Sequence, residues 1–170
     1  VQAGIPFEIV PGITSAVAAP AYAGIPVTHR GIAAECAFIT GHEDPTKEKS
    51  QVNWAALGRS QGTLVFVMAV SQFPQIVDRL LQEGRSPETP LAVIRWGSYP
   101  RQQTWSCTLT EAKELAERGE FKAPSVVVIG DVVALREQLN WFETRLLFGQ
   151  RVVVTRSRAQ ASDLSTRLEE

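Results

Sequence analysis

The chain has 170 residues, 44% of them hydrophobic and 21% charged, a balance that is ordinary for a globular domain with a sizeable core. Its 17 basic and 18 acidic side chains leave a net charge of −1, which argues against a nucleic-acid partner. No apolar run approaches the roughly 20 residues that span a bilayer, and no signal peptide is evident. We therefore expect a cytoplasmic protein with no membrane partner. Cys36 and Cys107 lack a Cys-x-x-Cys partner and are typical of reduced, near-core thiols.

The first third of the chain alternates short apolar stretches with turn signals. A helix of small residues is predicted within 13–23, starting at Thr14 or Ser15, after the Pro11-Gly12 turn. The remaining predictions here are a strand at 7–10, a strand at 36–41, a polar loop at 42–51 and a short helix at 53–60.

The middle of the chain has stronger signals. The continuous apolar run "GTLVFVMAV" at 62–70 predicts a buried central strand. The further predictions are a helix at 72–83, a hairpin of strands at 90–97 and 102–109, a helix capped by Thr110 that ends at Gly119, a buried strand at 124–130 and a closing helix at 131–141.

This mixed order of strands and helices, with one hairpin, predicts an α/β fold with a mixed, largely antiparallel sheet flanked by helices. The pattern changes at 141–149, and "QRVVVTR" followed by a helical pattern begins a new strand and helix. Both ends of the chain interrupt an element, so we expect it to be a piece of a longer protein.

Few residues by themselves point to chemistry. His29 and His42 belong to no His or Cys cluster, so no metal site is predicted, and no Gly-x-Ser-x-Gly motif indicates a hydrolase. The glycine turn before Thr14 and Ser15 could admit a ligand close to the main chain, although a Thr or Ser as a plain helix cap is what most helices use and explains the pattern without a ligand.

Two further groups remain open at this level. Met68 and Gly97 follow predicted strands, where ligands often bind in α/β sheets, but core packing and a simple turn would also account for them. Tyr22, Thr28, His29 and Arg30 cluster after the small-residue helix, where they could face an anionic ligand or form a solvated loop.

Four stretches in order carry a family resemblance: "AGIPFEIVPGITSAVAAPAYAGIPVTHR", "FITGHE", "TLVFVMAV" and "PSVVVIGDVVALREQLNWF". Over about residues 1–142 the chain resembles the tetrapyrrole methylases, and among them the uroporphyrinogen-III C-methyltransferases. The resemblance implies S-adenosyl-L-methionine as cofactor, S-adenosyl-L-homocysteine as product, and methylation of uroporphyrinogen III to precorrin-2 for sirohaem and cobalamin. It also implies a homodimer of two-domain subunits, with the cofactor in the cleft between the domains.

Site residues follow from the resemblance position by position. The cofactor-binding positions correspond to Thr14, Ser15, Met68, Gly97 and Ser125. The substrate is expected near Tyr22, Thr28, His29 and Arg30, and Arg30 could pair with a substrate carboxylate. No catalytic residue is assigned, because the family's Gly-Pro-Gly-Asp loop, Gly-Gly-Asp-Pro turn and proposed catalytic acid and lysine have no counterpart in this chain.

The end of the chain resembles a second family. "LFGQRVVVTRSRAQASDLSTRLEE" is similar to the first strand and helix of uroporphyrinogen-III synthase, and Arg156 would place a cation at the end of that strand. The expected organisation is therefore a cofactor-binding second domain at 1–142, a linker at 143–150 and the start of a fused synthase at 151–170. We expect the chain to be inactive alone. The alternatives are another precorrin methylase and a non-catalytic dimerisation module.

Overall fold

The computed structural model describes residues 3–42, 50–155 and 164–168. Within these ranges five strands form one sheet, with α-helices packed beside it. The strands are β1 (Cys36–Thr40), β2 (Thr63–Val67), β3 (Pro90–Arg95), β4 (Gln103–Thr108) and β5 (Ser125–Ile129). The helices are α1 (Ser15–Tyr22), α2 (Trp54–Arg59), α3 (Phe73–Gln82), α4 (Leu109–Glu117) and α5 (Arg136–Leu139).

The sheet has the strand order β1-β2-β5-β3-β4. β1 and β2 are parallel, while β2–β5, β5–β3 and β3–β4 are antiparallel. The predicted mixed, largely antiparallel sheet with flanking helices is therefore confirmed, and so is the hairpin of β3 and β4.

Alternate side chains along the central strands point to opposite faces of the sheet, so each face has its own core. One core packs α3, α4 and part of α2 against β2, β3 and β5, and includes Phe66, Phe73, Leu80, Leu91 and Ile129. The second core packs α1 and the 3₁₀ turn Asp131–Leu135 on the other face, and includes Ala16, Ala19, Val65, Ile94 and Val128. This second core uses small residues, so α1 can lie close to the strands.

The prediction of a strand at 7–10 is wrong. These residues form no regular element, and Phe7, Ile9 and Val10 are exposed. An apolar β-branched run forms a strand only when a neighbouring strand takes up its backbone hydrogen bonds. None of the described strands pairs with this segment.

The predicted cap of α4 is displaced by two residues. Thr108, not Thr110, accepts from the Glu111 backbone N–H at 3.3 Å, and the Glu111 carboxylate accepts from the Thr108 N–H at 2.8 Å. This reciprocal capping box requires Thr and Glu three residues apart, a spacing that only Thr108 satisfies of the two. Thr110 donates its hydroxyl to Pro87 O instead.

The end of the described chain is less regular than predicted. The closing helix is a 3₁₀ turn at Asp131–Leu135 followed by the single turn of α5, and residues 151–155 form no strand. Residues 164–168 are helical, as the sequence pattern indicates. Arg156 and residues 43–49 of the predicted loop lie outside the described residues. In the described chain no helix is long and apolar enough to span a bilayer.

Candidate cofactor site

A cleft of about 830 Å³ lies where β2 and β3 end and β5 begins. Its floor consists of apolar side chains at the strand ends, Val67, Ile94 and Val126. The start of α1 forms one wall, and residues 96–99 after β3 form another. The remaining sides are formed by Met68, Val70, Ser71, His42 and the segment Ala123, Pro124 and Ser125. Strand ends offer this kind of site because the loops that follow them can vary without disturbing the sheet.

Four of the five predicted cofactor positions meet in this cleft: Ser15, Met68, Gly97 and Ser125. The fifth, Thr14, precedes Ser15 directly but is not among the lining residues. Its hydroxyl accepts from the Ala16 backbone N–H at 3.3 Å, so it is the N-cap of α1. Capping by Thr14 is thus confirmed, and its assignment to cofactor binding stays a prediction.

Gly97 brings the two walls together. A Cβ at this position would lie 2.6 Å from the Cβ of Ala19 on α1, a distance that real side chains do not reach. Gly97 and the small side chain of Ala19 therefore allow the loop after β3 to contact the helix directly. This contact explains why α1 is built of small residues, because bulky side chains would hold the walls apart.

Backbone strain is concentrated at the rim of the cleft. Met68, Trp96 and Ser98 have φ angles of 55°, 51° and 71°, and they are the three non-glycine residues with positive φ in the described chain. All three line the cleft. Left-handed backbone is unfavourable for such residues and often marks functional positions. At Met68 it accompanies a side chain that is 65% exposed.

A buried polar network holds the second wall in place. Gln102, only 4% exposed, accepts from the Ser98 backbone N–H at 2.8 Å. Its amide nitrogen donates to Tyr22 O at 3.2 Å and to the Glu143 carboxylate at 2.7 Å. Glu143 also receives Arg136 Nη2 at 2.6 Å. Because α1 ends at Tyr22 and the loop begins at Trp96, Gln102 ties both walls to one anchor.

The predicted substrate residues do not line the cleft. Tyr22 packs its ring against Trp141 and Phe142, with centroids 5.3 and 4.9 Å away. Thr28, His29 and Arg30 are exposed in a turn closed by a hydrogen bond from His29 N to Ala33 O. Their assignment to substrate binding stays a prediction.

Sequence reasoning missed Trp96, Ser98 and Tyr99 as wall residues. They follow the same strand as Gly97, so the prediction that a ligand binds at the end of this strand applies equally to them.

Metal-ligand side chains and thiols form no second candidate site within the described ranges. Searching residues 3–42, 50–155 and 164–168 finds no group of three or more His, Cys, Asp or Glu placed to hold a metal. Burial raises the pKa of both thiols, that of Cys107 to about 11 with a smaller contribution from Glu111. A thiol with a raised pKa stays protonated near neutrality and is a poor nucleophile.

A layered α/β domain with a ligand cleft at its strand ends is the class defined by this geometry. Residues 1–113 match the family described as Tetrapyrrole (Corrin/Porphyrin) Methylases, and the chain belongs to this family.

Two similar relatives carry different names. The chain is 49% identical over 136 residues to the S-adenosyl-L-methionine-dependent uroporphyrinogen III methyltransferase of Methanosarcina barkeri, covering 80% of this chain and 53% of that one. It is also 49% identical over 138 residues to the siroheme synthase of Neisseria meningitidis, covering 81% of this chain and 28% of that protein. The chain thus spans about half or less of the length of these relatives.

A solved structure is similar as well. Uroporphyrin-III C-methyltransferase from Thermus thermophilus, complexed with S-adenosyl homocysteine, has a TM-score of 0.65 at 31% identity, covering 78% of this chain and 54% of that one.

Proposed function

We propose that this chain is the cofactor-binding part of an S-adenosyl-L-methionine-dependent methyltransferase that acts on uroporphyrinogen III. The observation that carries the proposal is the convergence of Ser15, Met68, Gly97 and Ser125, four positions chosen by family resemblance, on one cleft. The names of the relatives support the substrate and the reaction.

The residues of the cleft fit this cofactor chemically. Its volume is within the range of small-molecule sites. The apolar floor suits an adenine ring, and the hydroxyls of Ser15, Ser98 and Ser125 offer hydrogen-bond partners. No Lys or Arg is among the described lining residues, which favours a ligand with a positively charged sulfur.

When bound, S-adenosyl-L-methionine supplies a methyl group on a sulfonium. The chain's own contribution is to bind and orient, because methyl transfer depends on aligning donor and acceptor atoms. Met68 presents its thioether to the cleft, and Gly97 lets the two walls close on a ligand. Trp96 and Tyr99 shield one side from water.

The proposal is tested by calorimetric titration of the full-length protein that contains this chain with S-adenosyl-L-homocysteine. We expect saturable binding that weakens about tenfold in Met68→Ala, since a contact worth roughly 1.4 kcal/mol is lost. Leu146→Ala is the matched control, because Leu146 is 94% exposed and is not among the residues lining this cleft. Absence of binding by the full-length parent protein, or equal binding by Met68→Ala, would refute the proposal.

Three finer statements belong to the same proposal. We infer a cytoplasmic homodimer, and we infer that residues 151–170 open a uroporphyrinogen-III synthase domain, supported by the sequence resemblance and by helical residues 164–168. Light scattering at several concentrations tests the dimer. Another precorrin methylase remains the alternative activity, and the names of two relatives, at 49% and 42% identity, favour uroporphyrinogen III over it.

A further inference from the structure

We propose that Arg95, Trp96 and Arg101 form a carboxylate-binding subsite at the rim of the cleft, which holds the substrate's carboxylates. This subsite rests on the proposed function, and it would replace the turn at 28–30 as the cationic element nearest the cleft.

Two guanidinium groups flank one indole ring. The Cζ of Arg95 lies 3.7 Å from the centroid of the Trp96 ring, and the Cζ of Arg101 lies 4.3 Å from the same centroid. Arg101 also approaches the ring of Tyr99 at 5.7 Å. Stacking on a ring orients a guanidinium but leaves its N–H groups free at the edge, where a carboxylate can accept two of them.

Neither cation has an anionic partner in the part of the chain that the structure describes. Among these residues, no Asp or Glu oxygen forms an ion pair with Arg95 or Arg101, and neither side chain donates a hydrogen bond. The Nε of Arg95 is buried without a hydrogen-bond partner. Arg136, by contrast, donates to Glu143 and to Ala23 O. Two neighbouring like charges without a counter-ion are unfavourable, and a bound carboxylate would relieve them.

The position of the pair limits how a bound ligand can reach it. Trp96 lines the cleft, whereas Arg95 and Arg101 do not. A ligand that fills the cleft and reaches these guanidiniums must therefore extend past Trp96 at the rim. The cofactor's own carboxylate could also reach a rim cation, so the two sources need to be separated experimentally.

The surroundings of the pair suit an apolar ring with acidic substituents. Tyr99 and Met68 are 56% and 65% exposed at the rim, and offer apolar surface. Each pyrrole ring of uroporphyrinogen III carries an acetate and a propionate group beside each other. Two guanidiniums stacked on one ring offer partners for two adjacent carboxylates, and bidentate pairs of this kind are strong and geometrically selective.

The test measures binding of uroporphyrin III, a stable oxidised analogue, and of S-adenosyl-L-homocysteine to the full-length protein that contains this chain. We expect Arg101→Ala to weaken uroporphyrin binding about tenfold and the Arg95→Met, Arg101→Ala double variant further, with cofactor affinity unchanged within about twofold. Arg101→Lys should recover only part of the loss, because an ammonium cannot make the bidentate contact. Arg79→Ala is the matched control, since Arg79 stacks on Trp54 away from the cleft.

Each other outcome overturns the assignment. A loss of S-adenosyl-L-homocysteine affinity with unchanged uroporphyrin binding would assign the carboxylate to the cofactor. An equal loss in Arg79→Ala would show that only the general charge matters. If the full-length parent protein binds S-adenosyl-L-homocysteine but no uroporphyrin, the subsite fails and the proposed function stands. If it binds neither, both fail.

Discussion

At the scale of single residues, the contact between Gly97 and Ala19 decides how close the two walls of the cleft can come. The structure leaves less room for a Cβ at Gly97 than any folded protein tolerates. At Gly12, the other glycine that the sequence singled out, an added Cβ would meet nothing within 4 Å, and the φ angle is not positive. Close packing therefore requires glycine at position 97, whereas neither packing nor backbone conformation requires it at position 12.

We expect Gly97→Val to destabilise the chain by about 1–3 kcal/mol, because the added carbons force α1 away from the loop. Ligand affinity should fall with it, since Ala18 and Ala19 line the same cleft. Thermal unfolding and calorimetry with S-adenosyl-L-homocysteine measure the two effects. Gly12→Ala is the control and should fold as the parent does. A fully stable Gly97→Val with parental affinity would show that the walls are not held by this contact.

At the scale of elements, the side-chain amide of Gln102 connects the loop between β3 and β4 to the end of helix α1. All polar atoms of the Gln102 side chain are used, with its oxygen facing Ser98 N–H and its nitrogen facing Tyr22 O and Glu143. A carboxylate can only accept, so Glu143 dictates the orientation of this amide. The rim of the cleft is thus positioned from behind by groups that do not line it.

We expect Gln102→Leu to cost about 1–3 kcal/mol, because it leaves the Ser98 N–H and the Glu143 carboxylate without this partner. Gln102→Glu keeps the size of the side chain and removes only its amide N–H donors. Its carboxylate would face Glu143, with Arg136 as the nearby cation, so one of the two acids would need to be protonated. Ligand affinity of Gln102→Glu, relative to that of the parent at the same pH, should therefore improve as the pH falls from about 8 to about 5.5. Parallel pH profiles for the two proteins would contradict a positioning role.

The elements that the sequence predicted well are those whose signal is local. Local sequence is enough to predict β2 and β5 from their apolar runs and α1 from its small residues, whichever elements they pack against. Residues 7–10 look like a strand by the same criterion, but a strand requires a neighbour, which no local pattern reveals. The cap at Thr108 could have been predicted from the sequence, since the Thr-x-x-Glu spacing selects Thr108 over Thr110.

The site was predicted in part for the same reason. Glycine and strand-end positions such as Gly97 and Met68 carry a recognisable pattern, and the family resemblance assigns them. The network of Gln102 and Glu143 joins residues 41 positions apart. The stacking of Arg95 and Arg101 on Trp96 depends on the left-handed turn at Trp96. Such contacts arise only when the chain is folded.

At the scale of the whole molecule, the sheet separates two cores, and its central strands are the most buried from solvent. β5, β2 and β3 each pair on both sides, while β1 and β4 each pair on one side. The side chains of β3 from Leu91 to Ile94 are fully or almost fully buried. The cleft lies at the end of these central strands, so its floor belongs to the strands that pair on both sides.

Hydrogen exchange followed by mass spectrometry or NMR tests this gradient. We expect the slowest amides in β5 and in the neighbouring strands β2 and β3, because these exchange only by global unfolding. Amides of the edge strands β1 and β4 should exchange by local opening at lower free energy. Edge amides as slow as those of β5 would contradict a sheet that frays from its sides.

The left-handed residues at the rim place stability and ligand binding in opposition. Met68, Trp96 and Ser98 each hold a backbone conformation that glycine adopts without strain. Selection for stability alone would therefore drive these positions towards glycine, and selection for a shaped, ordered rim would drive them away from it. Variants recovered from a screen for heat resistance should accumulate glycine at these three positions and lose affinity as they do so.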